Sequence, residues 1–302
     1  MATADTRGVT AADGTLLHVA VDGAKDAGRT IVLAHGWSLS HRSWDPVVRA
    51  LRLFEPPERL RIVAYDQRHH GGSARGDSEL DLDLLGDDLH RVLDAVVPTG
   101  AFVLGGHSMG GMTIMALAAR YPELIASRVS GVALVSTSAG GPSPRPNPTL
   151  RWLTGPALDF ALRHHTAVER LRRLSSPAMP VHRRAAARML FGATTAPEVV
   201  RAGTELIAAT PMRTVLEFWP ALESHDKTAS LEPLGAVPVE IVVGSQDRLT
   251  PPRRARYLAE RIDGARLTEL PGHGHMLTLE SPELLARTLL SLAGVPSPTP
   301  AR

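Results

Sequence analysis

Cysteine is absent from this chain of 302 residues, so it can form no disulfide and offers no thiolate as nucleophile or metal ligand. That absence agrees with a cytoplasmic setting, the expected location. Long apolar runs are missing too. None approaches the ~20 residues that a membrane-spanning helix needs, and the opening MATADTRGVTAADG lacks the basic stretch followed by an apolar one that marks a secretory signal. An excess of one charge is also lacking, since 33 basic residues face 31 acidic ones. The cations are almost all arginine, Lys25 and Lys227 being the exceptions. No basic stripe interleaved with aromatics and no nucleic-acid module is visible, which excludes nucleic acid as an expected partner. What remains is an ordinary globular composition, 43% apolar, long enough to bury a large core.

Short apolar runs alternate with longer helical patterns. TIVLAHG (30–36), RIVAYDQ (61–67), AFVLGGHS (101–108), GVALVSTS (131–138) and VEIVVGSQD (239–247) have strand length and nearly continuous hydrophobicity, as in strands of a parallel sheet buried on both faces. Helical periodicity falls between them at 41–53, 81–97, 109–120, 252–262 and 282–293. This alternation predicts right-handed βαβ units and a doubly wound α/β sheet, with LLHVAVDG (16–23) as an antiparallel edge strand. From Gly140 to Leu231 the rhythm breaks. A proline-rich segment, GGPSPRPNP (140–148), opens an interval that reads as helices over 149–165, 167–175, 181–191, 197–209 and 212–222. The expected organisation is therefore a discontinuous core, 1–141 and 232–302, with a helical insertion over 142–231. VPSPTPAR at the end reads as a tail.

In such folds ligand chemistry gathers beyond the carboxyl ends of the strands. The residues there include His35-Gly36-Trp37, Asp66-Gln67-Arg68, His107-Ser108-Met109, Asp247 and the pair His273 and His275. Gly106-His107-Ser108-Met109-Gly110 matches G-x-S-x-G with a strand before it and a helix after it. Side chains at the flanking positions would collide with neighbouring backbone in so sharp a turn. The helix that follows directs its positive end back at Ser108, and the N–H of Met109 is poised as an oxyanion donor. A serine hydroxyl is a poor nucleophile unless a base takes its proton and an acid orients that base. Asp247, closing the strand VEIVVGSQD, is the candidate acid. Either histidine of PGHGHMLTLESPE (271–283) can serve as the base, because residues two apart can face the same way.

The landmarks AHGW, YDQRHHGGS, GGHSMGG, VVGSQDRLTP and PGHGHMLTLESPE, in this order, resemble those of the α/β-hydrolase fold proteins of the soluble, helical-cap group. The likeness spans most of residues 15–293 and includes the Ser…Asp…His order of that group. It implies an α/β-hydrolase fold, a mostly parallel doubly wound sheet with a helical cap inserted after the sixth strand. In the group the catalytic histidine follows Gly and precedes a short apolar stretch and Glu-x-Pro, a register that His275 fits and His273 does not. The resemblance also implies the backbone N–H of Trp37 as second oxyanion donor, with Gly36 permitting close approach. His35 and His107 are expected to hold loops. One departure is plain: where relatives carry the first glycine of D-x-R-G-x-G-x-S, this chain has His69, at some cost if the position needs positive φ, and it could instead project toward the pocket. The His69-His70 and His273/His275 pairs lack an acidic partner at metal-site spacing, so neither metal nor cofactor is expected.

The resemblance thus implies a serine hydrolase acting on an ester-type bond (carboxylic ester, thioester or lactone) of a small hydrophobic substrate. Ser108, Asp247 and His275 are its catalytic residues, and Trp37 and Met109 form its oxyanion hole. Trp37, His107, Trp152, Phe160, Phe191, Phe218 and Trp219 are candidates for the pocket wall. An arginine-rich run in the insertion (Arg151, Arg163, Arg170, Arg172, Arg173, Arg183, Arg184, Arg188) could draw an anionic substrate or an acidic lipid surface. Three other readings stand beside this one: a cofactor-free haloperoxidase or perhydrolase, a biosynthetic C–C hydrolase or cyclase, and a ligand-binding protein without hydrolysis. Epoxide hydrolases and haloalkane dehalogenases place Asp where this chain has Ser108. Oligomeric state stays open.

Overall fold

In a computed structural model, residues 5–56, 58–140, 155–174 and 187–295 are described. The apolar runs form strands β1 (Asp5–Thr10), β2 (Leu16–Asp22), β3 (Arg29–Ala34), β4 (Leu60–Tyr65), β5 (Phe102–His107), β6 (Val129–Val135), β7 (Val239–Gly244) and β8 (Arg266–Leu270). They make one sheet in the order β1-β2-β4-β3-β5-β6-β7-β8. β2 pairs antiparallel with both β1 and β4, and every other pairing is parallel. Every residue of β4 and β5 is buried, as continuous hydrophobicity in a sheet covered on both faces requires.

Two strands escaped the sequence reading. β1 is exposed at every residue but Val9, and β8 is only partly covered. Both are edge strands, whose polar composition gives no apolar run to detect. The helix Pro122–Arg128 was likewise unexpected, with Ile125 its one fully covered side chain.

The helices cover both faces, so the sheet is doubly wound. One layer of the core joins Leu89 and Leu93 of Leu82–Val96 to Ile114 and Leu117 of Met109–Arg120 and to the apolar face of β2, β5 and β7. The other joins Val47 and Leu51 of Asp45–Phe54 to Leu285 and Leu289 of Pro282–Leu292. Leu82–Val96 starts where the Asp81 carboxylate accepts the Leu84 N–H at 2.7 Å, a cap worth about 1 kcal/mol. The helix expected from residue 41 begins instead as a 3-10 turn, His41–Trp44, and becomes α-helical at Asp45. There Pro46 suits the first turn, where its missing N–H leaves no bond unmade.

Between β6 and β7 the described residues contain the helices Gly155–Arg163, His165–Leu174, Pro197–Ala209 and Met212–Glu223, and no strand. The expected helix over 181–191 lies largely outside the described residues, with 187–190 helical. None of the described helices is long and apolar enough to cross a membrane.

Parallel register puts the strand ends side by side. Ala34 pairs with Tyr65 and with Gly106, and His107 with Val135. The segments that leave these strands therefore emerge along one edge of the sheet, where the candidate chemistry collects.

Candidate active site

The centre of that edge is the turn from β5 into Met109–Arg120. Ser108 has φ 52° and ψ −116°, a sparsely populated conformation that only a tightly determined surrounding maintains. Its N–H donates to Val135 O at 2.9 Å, and its carbonyl accepts the Thr137 hydroxyl at 2.7 Å. The glycines are explained by contact. A Cβ on Gly106 would stand 2.6 Å from the Gly110 carbonyl carbon, and one on Gly110 would overlap the Ala34 carbonyl oxygen. Although Ser108 occupies the N-cap position, its side chain makes no cap bond, and the residue lines a cavity at this edge of the sheet. Met109 is the first residue of the helix, so its N–H has no intrahelical acceptor.

The loop after β3 closes over this turn. A Cβ on Gly36 would lie 3.2 Å from Ser108 Cβ, so the backbone leading into Trp37 passes directly over the serine. Ser38, itself at φ 59°, donates its N–H to His70 Nε2 at 3.2 Å, and its carbonyl accepts the Thr210 hydroxyl at 2.9 Å. His35 Nδ1 donates to Gly36 O at 2.7 Å, while its Nε2 accepts the Gln67 N–H at 2.9 Å. Burial, ahead of all other influences, lowers the pKa of His35, which keeps the ring in this neutral tautomer.

Asp247 and His275 meet beyond β7 and β8. His275 Nδ1 donates to Asp247 Oδ2 at 2.8 Å. Asp247 also accepts the N–H groups of Leu249 and Thr250 on Oδ1 and the Thr250 hydroxyl on Oδ2, all at 2.9 Å. Burial alone raises its pKa, but the charge of His275 and these hydrogen bonds outweigh it, and the net shift is downward. The carboxylate therefore stays ionised beside the imidazole. His273 is only half-buried, its Nδ1 turned to Pro271 O at 2.9 Å. Of the two histidines, the one that meets the acid is His275.

Three supports of this pair lay outside the sequence reading of the site. Thr250 bonds the carboxylate, and only its position three residues after Asp247, where a side chain folds back on an Asx turn, hinted at it. Glu280 accepts from the N–H groups of Gly192 at 2.8 Å and Gly274 at 3.0 Å and from the Thr195 hydroxyl at 2.7 Å. It thereby ties the histidine loop to the segment between β6 and β7. The N–H of His275 donates to Leu190 O at 2.7 Å, a contact that no local pattern announces. His107 does hold a loop: its Nε2–H donates to His275 O at 2.9 Å. Complete burial, then the nearby His275, pushes its pKa down to about 3, so the ring is neutral.

A cavity of about 370 Å³ opens at this edge, lined by Gly36, Trp37, Ser38, Leu39, His107, Ser108, Arg172, Met189, Leu190, Ile207, Met212, Val215, Leu249, His275 and Met276. Its wall is mostly aliphatic and thioether, not the aromatic one expected. Of the residues proposed for it, Trp37 and His107 line it, while Trp152 lies outside the described residues. Phe160 is 60% exposed. Phe218 is buried with Met109 and Leu85, and Phe191 with Leu39 and Met276. Trp219 packs with Leu158 and Leu216, its ring 5.8 Å from that of Trp37. Phe218, Phe191 and Trp219 thus fill contacts behind the wall instead of forming it. Of the arginine-rich run, Arg172 reaches the cavity, paired with Glu169 at 2.9 Å. Arg151, Arg183, Arg184 and the side chain of Arg173 lie outside the described residues.

His69 does take positive φ, 65°, but it does not reach the cavity. Its Nδ1 donates to Glu217 Oε2 at 3.2 Å, its carbonyl accepts the Thr214 hydroxyl at 3.1 Å, and its ring stands edge-on to Phe218. It joins the loop after β4 to the helix Met212–Glu223. Burial first, then Arg75 and Arg68, push its pKa down to about 4.

Several proteins are similar to this chain. A bifunctional esterase/perhydrolase of Acinetobacter calcoaceticus is 39% identical over 115 residues, 38% of this chain and 40% of that protein. A pimeloyl-[acyl-carrier protein] methyl ester esterase of Aromatoleum aromaticum is 29% identical over 270 residues, 84% of this chain and 93% of that protein. Among solved structures, the enol-lactonase of Burkholderia xenovorans superposes with a TM-score of 0.73 at 25% identity, over 95% of this chain and 99% of that one. Residues 31–288 match the alpha/beta hydrolase family as a whole, and with the eight-stranded sheet and the turn at Ser108 this establishes that the chain belongs to that family.

Proposed function

We propose that the protein is a serine hydrolase that cleaves an ester-type bond of a small, largely apolar substrate through an acyl-enzyme on Ser108. The observation that carries the reading is the 2.8 Å bond between His275 and Asp247 at the rim of an apolar cavity that Ser108 also lines. In this reading His275 Nε2 takes the hydroxyl proton as Ser108 Oγ attacks the carbonyl carbon, and Asp247 stabilises the imidazolium. The N–H groups of Met109 and Trp37 receive the developing oxyanion, each donor of this kind being worth about 2.7–4 kcal/mol in the transition state. The imidazolium returns its proton to the leaving alkoxide or thiolate. Water, deprotonated by the same histidine, then releases the acid and frees Ser108.

The helical interval 142–231 acts as the cap on a core formed by 1–141 and 232–302. Met189, Ile207, Met212 and Val215 come from it, and they favour an acyl group that is flexible and apolar. The likeness to an esterase/perhydrolase favours a second acceptor: hydrogen peroxide in place of water would give a peracid from the same acyl-enzyme.

The test is the intact mass of the wild type and of Ser108→Ala after exposure to a fluorophosphonate probe, followed by an ester panel of graded chain length with and without peroxide. A single adduct on the wild type and none on the variant is expected. A folded wild type that stays unlabelled while the probe labels a control esterase overturns the reading.

A further inference from the structure

Away from the cavity, three residues from separate segments converge on one point. His18 lies on β2, His41 opens the 3-10 turn that follows the Trp37 loop, and Asp66 follows β4. His41 Nδ1 is 2.9 Å from Asp66 Oδ1, and His18 Nδ1 is 3.1 Å from Asp66 Oδ2. All three candidate ligand atoms lie within 4.8 Å of one another. No sequence spacing announces this group, because the sheet itself brings it together.

Two features distinguish it from an ordinary ion-paired cluster. First, His18 Nδ1 is buried without a hydrogen-bond partner, despite its closeness to Asp66 Oδ2. The nitrogen thus lies beside the carboxylate without a hydrogen bond to it. Second, the carboxylate is oriented from behind. The His41 N–H donates to Oδ1 at 2.6 Å and the Gly72 N–H to Oδ2 at 2.8 Å. The His41 ring also bonds Oδ1 at 2.9 Å, a bond that an ion would replace, and Oδ2 keeps a further lone pair. Outer hydrogen bonds of this kind fix a ligating carboxylate. The backbone of His18 is held as well: its N–H donates to Ser73 Oγ at 2.8 Å, and Ser73 in turn bonds Asp66 O.

We propose that His18, His41 and Asp66 form a binding site for a first-row divalent cation, zinc or a close neighbour. Two imidazole nitrogens and one carboxylate suit such an ion. Bonds of about 2.0–2.2 Å in tetrahedral geometry set ligand atoms roughly 3.3–3.6 Å apart, so the imidazoles, now 2.9 Å from Oδ1 and 3.1 Å from Oδ2, would draw back a little to admit the ion. The side chains of His18 and His41 are 27% and 15% exposed, whereas Asp66 is closed off. An ion can therefore enter from the histidine side, and a water molecule can complete its shell there. Bound in this place it would cross-link β2, the turn at His41 and the loop after β4. That is a structural role, separate from the chemistry assigned to Ser108.

The experiment uses the untagged full chain, freed of metal by chelation. Zinc chloride binding is followed by calorimetry and by the thermal midpoint, with magnesium chloride as control, and Co(II) serves as an optical probe of coordination. Expected are one equivalent of zinc and a midpoint raised by about 3 °C or more at saturation. Binding should be about 10²-fold weaker in His18→Gln and His41→Gln, and the Co(II) spectrum should be that of a four- or five-coordinate ion. Zinc binding absent from the wild type, or undiminished in both variants, overturns the proposal. Should a variant fail to fold, the wild type still decides: a Co(II) spectrum equal to that of the hydrated ion overturns the site.

Discussion

The residue before Ser108 holds the backbone of His275: His107 Nε2–H donates to His275 O at 2.9 Å, and both side chains are buried. The β5 turn and the loop after β8 are thus joined beside Ser108 and His275, the two residues whose separation would govern proton transfer in the proposed mechanism. Replacement by Leu removes the donor but keeps an apolar volume. His107→Leu is expected to lower kcat about 10–10²-fold by letting His275 drift, with KM little changed. Steady-state kinetics on a short-chain ester checks this, and unchanged kcat in a folded variant would dismiss the positioning role.

Asp247 and Thr250 should differ in weight. Asp247→Asn leaves the geometry but favours the wrong imidazole tautomer, and kcat should fall about 10⁴-fold. Thr250→Val removes one hydrogen bond to the carboxylate, about 1–1.5 kcal/mol, and so about 10-fold in rate. Parallel kinetics of the two variants would expose a wrong assignment if Thr250→Val proved the more damaging.

Ser108 is strained, with φ 52°. Ser108→Gly should abolish acylation and yet stabilise the fold by about 1 kcal/mol, raising the thermal midpoint by roughly 2 °C. A lower midpoint in the variant would count against stored strain at this turn.

Buried histidines make the fold sensitive to acid. The pKa of His70 is pushed down to about 3, by burial first and then by His35, and that of His107 also to about 3. His69 and His225 are pushed down to about 4, chiefly by burial. Between these values and the ordinary 6.5 the unfolded chain binds more protons than the folded one, so stability falls as pH falls. From pH 6.5 to 5 the loss is roughly 2 kcal/mol for each of His70 and His107. Calorimetric midpoints measured from pH 8 to 5 should be level above about 7 and decline below it. A flat profile down to pH 5 would contradict the neutral, buried state of these rings.

Val215 lines the cavity from the helix Met212–Glu223. Val215→Phe should shorten the preferred acyl chain, reducing kcat/KM for longer esters by 10-fold or so while sparing acetate esters. Equal losses across an ester series would mean that the chain does not run past this residue.

Much of this protein is written locally. The buried strands β3 to β7 and the helices beside them follow from apolar runs and periodicity, because elements covered on both faces must be apolar throughout. The strand–helix turn at Ser108 follows from its glycines and Asp247 from its place after a strand, while the choice of His275 rests on the family resemblance. β1 and β8 were illegible because edge strands need no apolar face. The cavity wall was misjudged as aromatic because composition cannot tell which face of a helix turns to a space and which to a neighbour.

What only the tertiary structure decided depends on distances between segments far apart in sequence. The geometry that meets Asp247 with His275, the His107 bond to the His275 carbonyl, the Glu280 clamp and the joining of His69 to Glu217 all arise this way. So does the convergence of His18, His41 and Asp66. The sequence by itself determined which residue types stand at the strand ends. Their directions and partners were decided by sheet register and by packing from both faces, which act through space and leave no periodic trace along the chain.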